Sequence, residues 1–150
     1  MANPVVFVIN GPNVNLLGTR EPDVYGKTTF AELEAMCRRR ASALGLTLEF
    51  RQSNHEGELV DWVQEARTAA QGIVINPGGL THSSVSLLDA ILAAGVPTIE
   101  VHLTNIHRRD AFREVSYISK AATGVIFGLG PFGYELALEA LANIIATAKR

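Results

Sequence analysis

The stretch Gly72–His102 reads GIVINPGGLTHSSVSLLDAILAAGVPTIEVH. Its first five residues are a short β-rich run ending at Asn76 and followed at once by Pro and Gly, the punctuation that closes a strand. Ser84–Ala94 carries apolar residues at helical spacing and is closed by Gly95, the residue that best ends a helix. Pro97–Leu103 is β-branched again. A strand, a helix and a strand joined by short connections make a unit whose two strands lie parallel in one sheet, with a right-handed crossover between them.

The same alternation runs outward in both directions. Val5–Asn10 (VVFVIN) is a continuous apolar strand. Thr29 to about Leu44 is helical, opens with Thr29 and Glu32 in capping-box spacing, and is stopped by Gly45. Leu46–Ser53 follows as a strand, and Glu56 to about Ala70 as a helix with Leu59, Trp62, Val63 and Ala66 along one face. Beyond His102 the pattern predicts a short helix over Arg109–Val115, a strand over Thr123–Gly128 and a final helix over Tyr134–Ala148. The first, third, fourth and fifth strands read as apolar throughout, which implies that both of their faces are covered. The expected fold is α/β: a flavodoxin-like, doubly wound, five-stranded parallel sheet in a three-layer α/β/α sandwich, with residues 1–150 forming a single domain.

Composition limits the partners. The chain has 150 residues, 47% of them apolar and 19% charged, and a net charge of −2. There is no basic field to attract nucleic acid and no run long and apolar enough to cross a membrane. Arg38, Arg39 and Arg40 fall in a helical pattern and read as a solvated face. The single cysteine, Cys37, lies mid-helix and reads as buried and structural rather than nucleophilic. The opening MANPVVFVING does not look like a signal peptide, so a cytoplasmic location is expected.

In such a sheet, ligands bind beyond the carboxyl ends of the strands. Those ends carry GPNVNLLGTREPDVYGK after the first strand, Asn54-His55 after the second, NPGGLTHSS after the third, His102-Leu103-Thr104-Asn105 at the fourth and GLGPFG after the fifth. The connection Gly11–Lys27 is long for a strand-to-helix loop, a length typical of binding loops and lids. Within it, Arg20 and Tyr25 can be read in two ways. Tyr25 can pack the loop while Arg20 pairs with Glu21. Alternatively, the guanidinium can favour ionisation of a phenol that is otherwise only about 0.1% phenolate at neutral pH, giving a base that forms when the loop closes. His102 is likewise either a structural imidazole or a proton donor suited to neutral pH. His82 sits at the mouth of a helix that Ser83 or Ser84 could cap. His107, beside Arg108, Arg109 and Asp110, reads as surface.

Several chemistries fit poorly. There is no His-x-x-x-His helix pair and no cysteine cluster, so no metal site is expected. Gly128, Gly130 and Gly133 match G-x-G-x-x-G, but they follow the last strand, with no second strand–helix–strand half to bind a dinucleotide. None of Lys27, Lys120 and Lys149 lies at an apolar strand end where burial would prepare it for an imine.

Taken together, INGPNVNLLGTREPDVYG (Ile9–Gly26), QSNHEGELVDWV (Gln52–Val63), NPGGLTHSSVSLLDAI (Asn76–Ile91), IEVHLTN (Ile99–Asn105), FRE followed by SYIS (Phe112–Ser119) and ATGVIFGLGPFGYELAL (Ala122–Leu138) resemble the type II 3-dehydroquinate dehydratases, in order and over nearly the whole chain. The resemblance implies a hydro-lyase that dehydrates 3-dehydroquinate to 3-dehydroshikimate by trans elimination through an enolate, in the shikimate pathway or in quinate catabolism. It implies no cofactor, no metal and no imine. Tyr25 would be the base and Arg20 the group that lowers its pKa. Asn13 would help hold a water on the enolate oxygen, and His102 would protonate the departing hydroxyl. Asn76, His82 and Arg113 would hold the substrate hydroxyls, and the backbone amides of Leu103 and Thr104 the carboxylate. Asp89 would reach a neighbouring subunit's site within a dodecamer built from trimers. Two positions depart from the family pattern: Thr104 stands where serine is usual and Leu88 where arginine is common. The other class of reading is a non-catalytic flavodoxin-like module that binds a small anion. Such a module has no need of a base and an acid at one edge.

Overall fold

The computed structural model describes residues 2–19 and 21–148, with the side chains of Val24 and Tyr25 outside what it describes. Five strands, β1 (Val5–Asn10), β2 (Thr47–Gln52), β3 (Gly72–Asn76), β4 (Thr98–His102) and β5 (Gly124–Phe127), form one sheet in the order β2-β1-β3-β4-β5. All four pairings are parallel. This is the flavodoxin-like order, with the chain reversing direction across the sheet between β1 and β3. The helices are α1 (Pro22–Tyr25), a single turn, then α2 (Phe30–Ala43), α3 (Glu56–Ala69), α4 (Val85–Ala94) and α5 (Phe132–Ala148).

The three layers follow from the two-residue period of the strands. Val6 and Val8 of β1 face one side, with Val74, Ile99 and Val101, and meet Leu33, Cys37 and Ala41 of α2 and Ala137, Leu138 and Leu141 of α5. Phe7 and Ile9 face the other side, with Ile73 and Ile75, and meet Leu59, Val63 and Ala66 of α3 and Leu87, Ala90 and Ile91 of α4. Each Val, Leu, Ile or Phe among them, once fully buried, contributes about 1.5–3 kcal/mol from hydrophobic transfer, and each Ala less. Cys37 is fully buried, and burial pushes its thiol up to about 12, as expected of an inert packing residue.

Local chemistry sets the element ends. Thr29 caps α2 through its hydroxyl oxygen, which accepts from the Glu32 N–H at 3.1 Å. Ser84, rather than Ser83, caps α4, accepting from the Leu87 N–H at 2.9 Å. Four expectations need correction. The helix expected over Arg109–Val115 is instead a pair of 3-10 turns, Ile106–Arg108 and Ala111–Arg113, because Arg109 (ψ −150°) and Asp110 (ψ 147°) are extended between them. The last helix begins at Phe132, two residues early, directly after Pro131, whose ring restricts φ to values compatible with helix entry. β4 is not apolar throughout, for Glu100 sits in it fully buried. Nor is β5 covered on both faces: it is an edge strand with Val125 45% exposed.

The central strands β1 and β3 end in loops that press together. The Gly11 N–H donates to the Asn76 carbonyl at 2.8 Å. A Cβ on Gly11 would meet the Pro77 carbonyl oxygen at 2.4 Å, and one on Gly78 would meet that of Pro12 at 2.7 Å. Backbone, not a yielding side chain, fills both spaces. Gly11→Ala should therefore destabilise the fold by at least about 1–3 kcal/mol. Gly57→Ala, at an open helical position, should gain roughly 0.5 kcal/mol. Thermal unfolding of the two variants checks the contrast.

Candidate active site

A cavity of about 170 Å³ opens at the carboxyl end of the sheet. Of the residues singled out from sequence, Asn13, Asn76, His82, His102, Leu103, Thr104 and Arg113 line it. Asp89 does not; it is exposed on α4. Arg20 and the side chain of Tyr25 lie outside the described residues, although the backbone of Tyr25 ends the α1 turn in the same loop. Among the described residues, no group of three or more His, Cys, Asp and Glu side chains comes together in a way that could hold a metal ion. No helix among them is long and apolar enough to cross a membrane.

Asn13 is held in place through its backbone. It adopts a left-handed conformation (φ 71°), which asparagine tolerates better than most residues, and its N–H donates to Asn54 Oδ1 at 3.0 Å. Gln52 Nε2 braces the same turn, donating to the Gly11 carbonyl and to Asn15 Oδ1, both at 3.2 Å. The end of β2 thus fixes the start of the long loop. The end of β5 does the same for the segment after β4: the Gly128 and Gly130 N–H groups donate to the carbonyls of His102 (3.2 Å) and Leu103 (3.0 Å).

Burial and contacts define the role open to His102. It is 6% exposed, and its Nε2–H donates to Glu100 Oε2 at 2.5 Å. Phe127, its cross-strand partner, stacks edge-on at 5.2 Å between ring centroids. Nδ1 has no protein partner among the described residues, so it is the nitrogen left to exchange a proton with a ligand. Glu100 was not foreseen from sequence. Two residues before His102 on the same strand, it points to the same face, and a carboxylate interrupting an apolar strand was the available signal. Three hydroxyls surround it: Thr81 Oγ1 at 2.9 Å and Ser116 Oγ at 2.8 Å on Oε2, and Ser119 Oγ at 2.6 Å on Oε1. Burial works to raise the carboxyl's pKa, but the bonds from His102, Ser119 and Ser116 outweigh it and hold the group below its ordinary value of 4.5.

His82 lies across the cavity. Its Nδ1–H donates to the Val115 carbonyl at 2.8 Å, which leaves Nε2 as an acceptor. Burial holds its pKa below 6.5, and His102 and Arg113 add to that despite the Val115 carbonyl. At neutral pH it is therefore an uncharged acceptor for a ligand hydroxyl. Cationic character comes from Arg113 and from Arg109, a lining residue that sequence reading had assigned to a helix. His107 is exposed, as expected, with its ring 5.4 Å from that of Phe127. Among the described residues the site therefore combines one histidine held by a buried carboxylate, one neutral histidine acceptor, two asparagines and two guanidinium groups. That set suits a small anion rich in hydroxyls and a proton transfer to it.

The pH dependence follows from these shifts. Glu100, with its folded-state pKa lowered, contributes stability that is present above 4.5 and lost as pH falls through the folded value. His82, also lowered, takes up its proton less readily folded than unfolded, so stability falls as pH drops below 6.5. Glu100→Gln should cost on the order of 3 kcal/mol at pH 7 and shrink the step below 4.5, where Glu65, held low by Arg51, still contributes, while keeping the one below 6.5. Melting temperatures between pH 3 and 8 test both.

Comparison with known proteins agrees with this chemistry. A family model described as Dehydroquinase class II matches residues 4–142. The chain is 54% identical over 142 residues to 3-dehydroquinate dehydratase 2 of Pseudomonas putida, covering 95% of both chains. To the 3-dehydroquinate dehydratase of Mesorhizobium japonicum it is 56% identical over 138 residues, covering 91% of this chain and 96% of the relative. The crystal structure of type II dehydroquinase from Propionibacterium acnes matches with a TM-score of 0.91 at 41% identity, over 95% of this chain and 98% of that one. With the matched region spanning all five strands and the whole of the cavity, the chain belongs to the class II dehydroquinase family.

Proposed function

We propose that the cavity dehydrates 3-dehydroquinate to 3-dehydroshikimate, and that the residues lining it divide the work as follows. The observation that carries the reading is His102, at the cavity wall with Nε2 bound to buried Glu100 and Nδ1 uncommitted. Elimination of water from a β-hydroxy ketone through an enolate requires a base, a stabiliser for the enolate oxygen and an acid for the departing hydroxyl.

Tyr25, on the loop after β1, removes the proton from the carbon beside the ketone, with Arg20 favouring its ionised form. Asn13 helps hold a water on the enolate oxygen. His102 donates a proton from Nδ1 to the leaving hydroxyl, while the Glu100 carboxylate compensates the charge of the doubly protonated ring and keeps it oriented. Base and acid come from the loop and from a strand end, so they can act on opposite faces of the ring, as a trans elimination demands. Neutral His82 accepts a substrate hydroxyl at Nε2, Asn76 and Arg113 hold others, and the carboxylate rests on the backbone amides of Leu103 and Thr104. Arg109 adds positive charge to the same wall. Threonine at 104 preserves both a hydroxyl and the amide.

The enzyme works in the cytoplasm as a homo-oligomer, a dodecamer built from trimers. Exposed Asp89, which lines no part of its own chain's cavity, reaches a neighbouring subunit's site.

Chelator-treated protein mixed with 3-dehydroquinate should give a rise in the ultraviolet absorbance of a conjugated enone, unaffected by borohydride. No rise, with calorimetric binding intact, would sink the dehydratase reading in favour of a passive anion site. Tyr25→Phe should lower kcat by at least about 10²-fold with the substrate still bound, the range of a lost general base. Glu100→Gln should lower kcat on the order of tenfold or more. Steady-state kinetics of the two variants checks both.

A further inference from the structure

Among the described residues, Tyr134 is the largest side chain buried completely, and it takes no part in the chemistry above. It rises from the first turn of α5 to the carboxyl ends of the two central strands. There its hydroxyl lies between Asn10, the last residue of β1, and Asn76, the last residue of β3, which pair in register. Tyr134 Oη donates to Asn10 Oδ1 at 2.7 Å and accepts from Asn76 Nδ2 at 2.8 Å. Asn10 Nδ2 donates onward to the Arg51 carbonyl at 3.0 Å, and Asn76 Oδ1 accepts from the Gly78 N–H at 3.1 Å.

The direction of every bond in this chain is determined by its ends. The Arg51 carbonyl can only accept, so Asn10 must present its NH₂ there and its oxygen to Tyr134. The phenol has one proton, and having given it to Asn10 it can only accept from Asn76. The Gly78 N–H can only donate, so Asn76 must present its oxygen to it. A flipped Asn76 amide would set NH₂ against N–H and oxygen against a phenol oxygen whose proton is already committed. Both ends are backbone groups of the sheet and of the turn after β3, so the chain has one consistent polarity.

We infer that Tyr134 is a positioning residue for the cavity: with Asn10 it fixes the amide orientation of Asn76, so that one N–H of Nδ2 and one lone pair of Oδ1 remain for the ligand. The inference rests on the proposed dehydratase reading only for its kinetic test. Asn76 lines the cavity and is 5% exposed, so only a small part of it reaches a ligand, and its orientation decides which atom does. Neither Tyr134 nor Asn10 lines the cavity, and both act through Asn76.

Tyr134→Phe keeps the ring in its pocket and deletes the oxygen that links the two amides. KM for 3-dehydroquinate should rise on the order of tenfold with kcat within about a factor of three, the signature of lost ground-state and transition-state binding alike. In an Asn76→Ala background the same substitution should leave KM unchanged within about a factor of two, since a residue acting through Asn76 has nothing left to act on. Asn10→Leu, nearly isosteric, should move KM in the same direction and also fail to add to Asn76→Ala. A Tyr134→Phe effect of equal size with and without Asn76 would overturn the inference, as would a variant that melts lower but keeps its KM. A direct reading uses no turnover. The Asn76 side-chain amide protons, assigned by nitrogen-15 NMR, should be resolved and slow to exchange in the parent chain and should shift and exchange faster in Tyr134→Phe. Unchanged amide signals would overturn the inference even if the parent chain turned over nothing, whereas an inactive parent with the expected amide change would condemn the dehydratase reading alone.

Discussion

A carboxylate enclosed by a protein must either take up a proton or be surrounded by donors, since an unsolvated charge is among the costliest things a fold can contain. Glu100 takes the second course. Its two oxygens receive one imidazole and three hydroxyls. The donors come from β4 itself, from the 3-10 turn Gly78–His82 after β3 and from the segment before β5. The carboxylate thus draws three stretches of the chain to one point. It also determines which nitrogen of His102 is committed, and hence which one is available for chemistry.

The topology provides the other half of the arrangement. Because the chain reverses its course across the sheet between β1 and β3, the loops leaving these strands diverge to opposite faces and open a crevice between them. Gly11 and Gly78 let the two backbones approach at the base of that crevice more closely than any Cβ would allow. Asn13 and Asn76 line the cavity above that contact. The edge strands act as braces: Gln52 and Asn54 hold the loop after β1, and the Gly128–Gly130 turn holds the segment after His102. A site built this way depends on backbone geometry first and on side-chain identity second.

Much of this was legible in the sequence. The strand and helix periods gave the parallel sheet and its layers, since Val6 and Val8 alternate with Phe7 and Ile9 as a doubly covered strand must. The polar residues gathered after β1, β3 and β4 located the cavity, because strand ends are positioned by the sheet itself, whereas those after β2 and β5 brace it instead. What escaped did so at three places, each for a physical reason. Glu100, Thr81, Ser116 and Ser119 meet only through tertiary packing, and a hydroxyl in a loop carries no sign of the carboxylate it will solvate. Tyr134 sat in a helical pattern where an aromatic reads as core, which it is, and its phenol oxygen is informative only once Asn10 and Asn76 are seen beside it. The segment 106–113 defeated periodicity because extended Arg109 and Asp110 interrupt what would otherwise be a helix.

The connection between β4 and β5 contains three single 3-10 turns and little other regular structure, which would ordinarily make it the first part of the molecule to open. Yet Ser116 and Ser119 lie within it and supply two of the hydroxyls on Glu100. Peeling the segment away would strip a buried anion of part of its solvation, a penalty that falls on the whole core rather than on the loop. The same peeling would take with it Arg109, Arg113 and the Val115 carbonyl that fixes the tautomer of His82. An irregular loop is thereby enrolled in the cooperative unit of the sheet, and the rigidity that substrate recognition needs is obtained without a helix to provide it.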